Sequence, residues 1–220
     1  MSDDAAATLV SEDLASQELA SLARIWRGKA PRDADGGVAY ARMIEELRGF
    51  LNQVAGARPD PETSRELART LATWSERLAP LAVPEAEQPY ARRHDLPGRG
   101  QTLLPPQYRV VHEAGRVEAR VTFGRYFLGI NGAVHGGAIM STFDDLTGRV
   151  ANGGGRSPAR TAYLTVNFRA IAPIEAELTA RVWIEREEGR KRFVRGQLLH
   201  GETLCADCEG LYVALNPGQS

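Results

Sequence analysis

The residues best suited to chemistry lie in one run, Asn131-Gly132-Ala133-Val134-His135-Gly136-Gly137-Ala138-Ile139-Met140-Ser141-Thr142-Phe143-Asp144-Asp145. A glycine-dense turn leads through a His-Gly-Gly step into an amphipathic stretch that carries two carboxylates. Glycine permits positive φ and lets a ligand approach the backbone closely. A helix start presents unpaired N–H groups and partial positive charge. Together these can hold a carbonyl oxygen that becomes negative during a reaction. Asp144, further along the segment, is then a general base or a nucleophile. It sits beside the apolar stripe of its helix, and Asp145 is its obvious competitor.

Elements must hold these groups in place. Ile139, Phe143, Leu146 and Val150 recur at i, i+4, i+7 and i+11, so the spacing predicts a helix over 136–151 with one apolar face. Asn152-Gly153-Gly154-Gly155 stops it. Strand-like alternation predicts strands at 108–112 and 117–121 before the helix, then 162–168, 176–185, 192–199 and 204–215 after it. One long helix enclosed by antiparallel strands leaves a sheet with an open edge and face, which leads us to expect dimerisation.

The first part of the chain is different. Leu14, Leu19, Leu22 and Trp26 suggest one helix; Val38, Ile44, Leu47 and Leu51 suggest a second, ending near Gly56. Asp60 as N-cap and Pro61 at the first helical position open a third, with Leu67, Leu71, Trp74 and Leu78 along one face. We expect these helices to pack on the main domain or on a partner chain. A Pro-, Gly- and charge-rich connector follows. The expected organisation is a helical extension over 1–84, a linker over 85–102 and a main domain over 103–220.

The composition, 43% hydrophobic and 25% charged residues, suits a globular protein. A net charge of -1 gives no reason to expect a nucleic-acid partner or an anionic membrane. No apolar run approaches the roughly 20 residues of a membrane span. The acidic start and the lack of a basic n-region lead us to expect a cytoplasmic protein. Cys205 and Cys208 lie in a strand-like segment whose alternation predicts opposite faces, so structural thiols are expected rather than a disulfide or zinc site. His112 and His200 have no evident partners, and no metal site is expected. The triple glycine at 153–155 lacks a P-loop lysine. Arg190, Lys191 and Arg192 read most simply as a solvated hairpin turn.

The segment resembles the hotdog-fold acyl-CoA thioesterases of the PaaI type. The resemblance rests on Val134-His135-Gly136-Gly137-Ala138, on Asp144 nine residues after the histidine, and on Thr161-Ala162-Tyr163-Leu164-Thr165-Val166-Asn167-Phe168. Arg169 to Pro173, Glu188-Gly189-Arg190-Lys191 and the final strand also look similar. It spans 103–215 and leaves the helical part unexplained. It implies an α+β hotdog fold with an N-terminal helical extension, in which a curved antiparallel sheet wraps a central helix and two subunits pair edge to edge. By the same resemblance the Gly136 N–H polarises a thioester carbonyl, Asp144 of the other subunit activates water or attacks, and Thr161 assists. His135 shapes the turn, and Gly137 and Asn131 line the substrate. Arg169, Arg190 and Lys191 are the candidates for the phosphates of coenzyme A. No cofactor is implied, because coenzyme A belongs to the substrate. Many relatives carry Asn or Gln six residues before the histidine, where this chain has Gly129; Asn131 is the nearest substitute.

The expected activity is hydrolysis of acyl-CoA to a free acid and coenzyme A by a homodimer or a dimer of dimers. The rival readings are a non-catalytic acyl-CoA or acyl-lipid sensor and a hotdog-type hydratase or dehydratase. Asp144 lies about 12 Å along the helix axis from Gly136. One helix therefore cannot readily aim both groups at the same carbonyl, and a second chain related by a two-fold axis resolves the problem.

Overall fold

The structure, a computed structural model, describes residues 34–93, 95–105, 107–113 and 115–216. The helix expected on Leu14, Leu19, Leu22 and Trp26 lies outside the described residues. Two helices come first, α1 (Ala34–Gly56) and α2 (Pro61–Leu78). The expected stripe of α1 is not the face it buries: Val38 is 72% exposed while Ile44 is 2% exposed. The inward face instead carries Tyr40, Ile44, Arg48 and Asn52, each one helical turn from the last. Asn52 Oδ1 accepts the Tyr126 N–H at 3.0 Å, and Arg48 donates to the Gln101 carbonyl. Two of these residues are polar and reach backbone groups across the contact, so hydropathy does not mark them.

The opening of α2 is as expected. Asp60 Oδ1 accepts the Glu62 and Thr63 N–H groups, each at 2.8 Å, and Pro61 follows at the first helical position. Its apolar face, however, is uncovered among the described residues, with Leu71, Trp74 and Leu78 all about half exposed. The connector after it folds back rather than running extended. It contains tight turns at Glu85–Glu87 and Pro97–Arg99, and the Tyr40 hydroxyl donates to the Gly100 carbonyl at 2.9 Å.

Six strands form one antiparallel sheet: β1 (Gln107–Glu113), β2 (Arg116–Thr122), β3 (Ala159–Phe168), β4 (Glu177–Glu188), β5 (Lys191–His200) and β6 (Thr203–Ala214). Their order across the sheet is β1-β2-β4-β5-β6-β3. The central helix, α3 (Gly136–Asn152), lies against the inner face. Ile139, Phe143, Leu146 and Val150 are at most 3% exposed, as the spacing predicts. Full burial of each contributes about 1.5–3 kcal/mol. Gly196 on β5 lets the helix approach: a Cβ there would lie 2.7 Å from Cys208 Sγ and 3.0 Å from Phe143 Cε1. Two strands run three residues past an expected end. β3 begins at Ala159, and β4 continues to Glu188 because its bulge near Ile184 restores pairing as far as the Gly189 turn.

The predicted opposite faces of Cys205 and Cys208 are overturned. Both thiols are free and buried in the same core cluster. A register shift opposite Leu198 and Leu199 makes Cys205 an extra residue, which breaks the period of two. β3, at the end of the strand order, is a ten-residue edge with Tyr163 and Phe168 about half exposed. It bulges at Ala162, but among its residues there is no proline.

Candidate functional site

A short hairpin delivers the chain to α3. Asn131 and Gly132 have φ of 53° and 76°, the pair of positive values that a type I′ turn requires. The Gly129 N–H donates to the Ala133 carbonyl at 2.9 Å, and the His135 N–H to the Phe127 carbonyl at 2.8 Å. Asn131 is therefore the exposed tip of a turn. A Cβ at Gly129 would lie 3.1 Å from His135 Cα, so any side chain there displaces the turn backbone.

His135 is the N-cap of α3. Its Nδ1 accepts the Gly137 N–H at 3.0 Å, so the ring shapes the helix start, as the resemblance implies. The Ala138 N–H turns back to the His135 carbonyl at 2.9 Å. Among the described residues, no protein acceptor meets the Gly136 N–H. A Cβ on Gly136 would lie 3.0 Å from the Phe168 ring, so glycine keeps the approach to that N–H open beside an aromatic wall.

The two aspartates separate completely. Asp145 is buried and clamped: Arg99 lies 2.7 Å from Oδ1, Arg149 lies 2.8 Å from Oδ2, and Gln107 donates to Oδ2 at 3.1 Å. Asp144 is open to solvent on one side and makes no salt bridge among the described residues. Desolvation by its neighbours, then the Asp145 charge, push its carboxyl above the usual aspartate range; Arg99 and a hydrogen bond with Thr161 oppose this. A carboxylate raised in this way is a stronger base for water than an ordinary aspartate. Thr161 therefore meets Asp144 within the same chain.

Behind Asp144 stands Tyr212, which sequence reasoning missed. Its hydroxyl bonds Thr147 Oγ1 at 2.8 Å and donates to the Asp144 carbonyl at 3.3 Å, fixing the turn that carries the acid. A buried tyrosine on an alternating strand has no distinguishing sequence signal. Arg99 was missed as well, although its place between Gly98 and Gly100 was a usable one.

The three cations proposed for phosphate do not converge in one chain. Arg169, just after β3, holds Asp207 through Nε at 2.5 Å and Nη2 at 3.4 Å. Arg190 donates to the Ala214 carbonyl at 3.1 Å and Asn216 Oδ1 at 2.7 Å, while Lys191 is exposed beside it. Those two lie at the end of the sheet near the C-terminus of α3, away from Gly136. Arg192, grouped with the solvated turn, is instead 6% exposed and caps α3 by donating to the Ala151 carbonyl at 2.8 Å and the Ser157 carbonyl at 2.7 Å. Carbonyls at a helix end attract a guanidinium, which outweighs its exposure on a hairpin. Among the described residues, no cluster of His, Cys, Asp or Glu is arranged to hold a metal ion.

Residues 131–206 match the family model described as thioesterase superfamily. Acyl-coenzyme A thioesterase THEM4 of Mus musculus is 32% identical over 96 residues, which are 43% of this chain and 41% of that protein. The Bos taurus protein of the same name is 29% identical over 99 residues, 44% of this chain and 40% of its own length. The chain thus spans about two fifths of the curated relatives it matches. A crystal structure of a thioesterase superfamily protein superposes with a TM-score of 0.68 at 24% identity, over 79% of this chain and 90% of that one. The sheet and central helix of this chain are thus a hotdog fold, and residues 131–206 within it are similar to the thioesterase superfamily.

Proposed function

We propose that this chain hydrolyses acyl-CoA thioesters to the free acid and coenzyme A, at sites shared between two copies of the chain. The observation that carries this reading is Asp144: an acid with a raised pKa and, among the described residues, no salt bridge, on a helix whose first N–H group meets no acceptor among them. The name of the curated relatives, acyl-coenzyme A thioesterase, supports the substrate class.

The two ends of β3 support sharing. Gly136 lies against Phe168, at one end of the strand, and Asp144 meets Thr161, near the other. Thr161 and Phe168 are seven residues of strand apart, about 23 Å, and Gly136 and Asp144 are about 12 Å apart along α3. Antiparallel pairing of two β3 edges would run the Phe168 end of one copy beside the Thr161 end of the other. Each Gly136 would then face the partner's acid, and the open edge would be covered.

The reaction needs no redox partner. The ionised Asp144 takes a proton from water as the water oxygen bonds the carbonyl carbon, and returns that proton to the departing sulfur. Alternatively it attacks the carbon itself and the sulfur departs as thiolate; water then hydrolyses the mixed anhydride, one of its protons going to the sulfur and Asp144 being restored. The oxygen that turns negative is held by the Gly136 N–H, a donor whose loss typically costs about 2.7–4 kcal/mol of barrier stabilisation. The carbon–sulfur bond breaks and the sulfur ends as the thiol of coenzyme A. Thr161 orients the carboxylate. Arg169 and the Arg190–Lys191 turn are the cations assigned to the phosphates of the bound substrate. The buried free thiols of Cys205 and Cys208 suit a reducing compartment such as the cytoplasm.

Release of thiol from a panel of acyl-CoAs tests the activity, and tight binding without turnover would favour a sensor instead. Mixed chains test the sharing. Gly136→Pro removes the N–H in question at a position where the backbone accepts proline, since His135 has ψ of 130°, and it also sets a Cβ 3.0 Å from the Phe168 ring. Asp144→Asn and Gly136→Pro chains, each inactive alone, should recover about a quarter of parental activity when randomly paired. No recovery in confirmed mixed dimers would end the shared-site reading.

A further inference from the structure

We propose that Arg99 is a positioning residue for this hydrolysis, and that the loop carrying it makes α1 a working part of the active site. The inference rests on the hydrolytic reading of Asp144. Gly98, Arg99 and Gly100 have φ of 59°, 59° and 65°, three left-handed residues in succession. The left-handed conformation is unfavourable for arginine, so the surrounding contacts must hold it there. Those contacts come largely from α1. The Tyr40 hydroxyl donates to the Gly100 carbonyl at 2.9 Å, and the Arg48 guanidinium donates to the Gln101 carbonyl. Gln101, 1% exposed, donates to the Gly98 carbonyl at 2.8 Å and accepts the Leu104 N–H at 3.0 Å. A Cβ on Gly100 would lie 3.0 Å from the Tyr40 ring, so the loop is seated directly on the helix.

The held loop presents one group. Arg99 Nη2 lies 2.7 Å from Asp145 Oδ1, with Arg149 on the other carboxylate oxygen. Asp145 is the residue next to the reactive acid, and its negative charge disfavours ionisation of Asp144. Arg99 counters this twice, by offsetting Asp145 and by its own field on Asp144. The groups around Asp144 are Asp145 on its own helix, Arg99 from the connector, and Thr161 and Tyr212 from β3 and β6. Only Arg99 among them favours the ionised acid by its charge. The connector therefore does more than join two parts. It carries a cation from the helical segment to the acid.

The test is the pH profile of kcat/KM for acyl-CoA hydrolysis by the full chain. In Arg99→Gln the acid limb should move to higher pH, with a several-fold loss at pH values below the limb. In Arg99→Lys, which keeps the charge, the limb should stay nearer its parental position. A ¹³C titration of labelled aspartates gives the same comparison without turnover. An unmoved limb and an unmoved Asp144 titration in a folded Arg99→Gln protein overturn the proposal. Asp144→Asn separates the two readings. If it retains full activity, the assignment of the base fails. If it is inactive while Arg99→Gln leaves the limb in place, only the role of Arg99 fails.

Discussion

The two flanks of α3 treat neighbouring aspartates in opposite ways. On the connector side, Asp145 is enclosed and its oxygens are claimed by Arg99, Arg149 and Gln107. On the β3 side, Asp144 faces an open edge strand with Thr161 as its hydroxyl partner. The residue type is the same and the positions are adjacent, so the difference in task comes from the surroundings. A clamped carboxylate holds elements together; one denied a cationic clamp and partly desolvated remains available for proton transfer.

The strongest way to break this contrast is to exchange each acid for its amide. Asp144→Asn should reduce kcat for thioester hydrolysis by about 10²–10⁴-fold, measured by thiol release. It should not reduce stability at neutral pH. The folded-state pKa of Asp144 is raised, so the protonated form is favoured by folding, and that contribution is present at low pH and lost as pH rises through the raised pKa. Above it the charge is a cost that asparagine removes, and the melting temperature at pH 7 should hold or rise.

Asp145→Asn should show the reverse. Leaving Arg99 and Arg149 without their carboxylate should lower the unfolding free energy by about 2–3 kcal/mol, the low end for a buried pair because both arginines are partly exposed. Urea unfolding measures it. If Asp145→Asn abolishes turnover with no loss of stability, the two roles are reversed. A third experiment sharpens the β6 side. Thr147→Val removes the hydroxyl that holds Tyr212 and should cost about 1–2 kcal/mol, with a smaller change in kcat than Asp144→Asn. The mildest expected effect concerns pH alone: the acid limb of the parental profile should lie above the usual aspartate range, because Asp144 must be ionised to act.

The legible parts of this chain were those written in periodicity and caps. The apolar stripe of α3, the strand alternation and the Asp60–Pro61 helix start each depend on local spacing, and each appears where the spacing put it. The illegible parts are polar residues engaged at a distance. α1 docks through Arg48 and Asn52, Arg192 caps a helix from another element, and Arg99 reaches Asp145 across the chain. No window of sequence contains both partners of such contacts. The bulge at Cys205 is invisible for a related reason: one extra residue shifts a register that only the pairing with β5 defines. Asp144 and Asp145 could be ranked only by the spacing to His135; the basis of the ranking is the clamp on Asp145.

The buried thiols have a practical corollary. Burial pushes the Cys208 thiol up to about 12 and raises that of Cys205 as well. Neither sulfur carries appreciable thiolate at neutral pH, and both are shut away from reagents. A colorimetric disulfide reagent added to the native protein should therefore register released coenzyme A against almost no background from Cys205 or Cys208, so turnover can be followed continuously without blocking either cysteine.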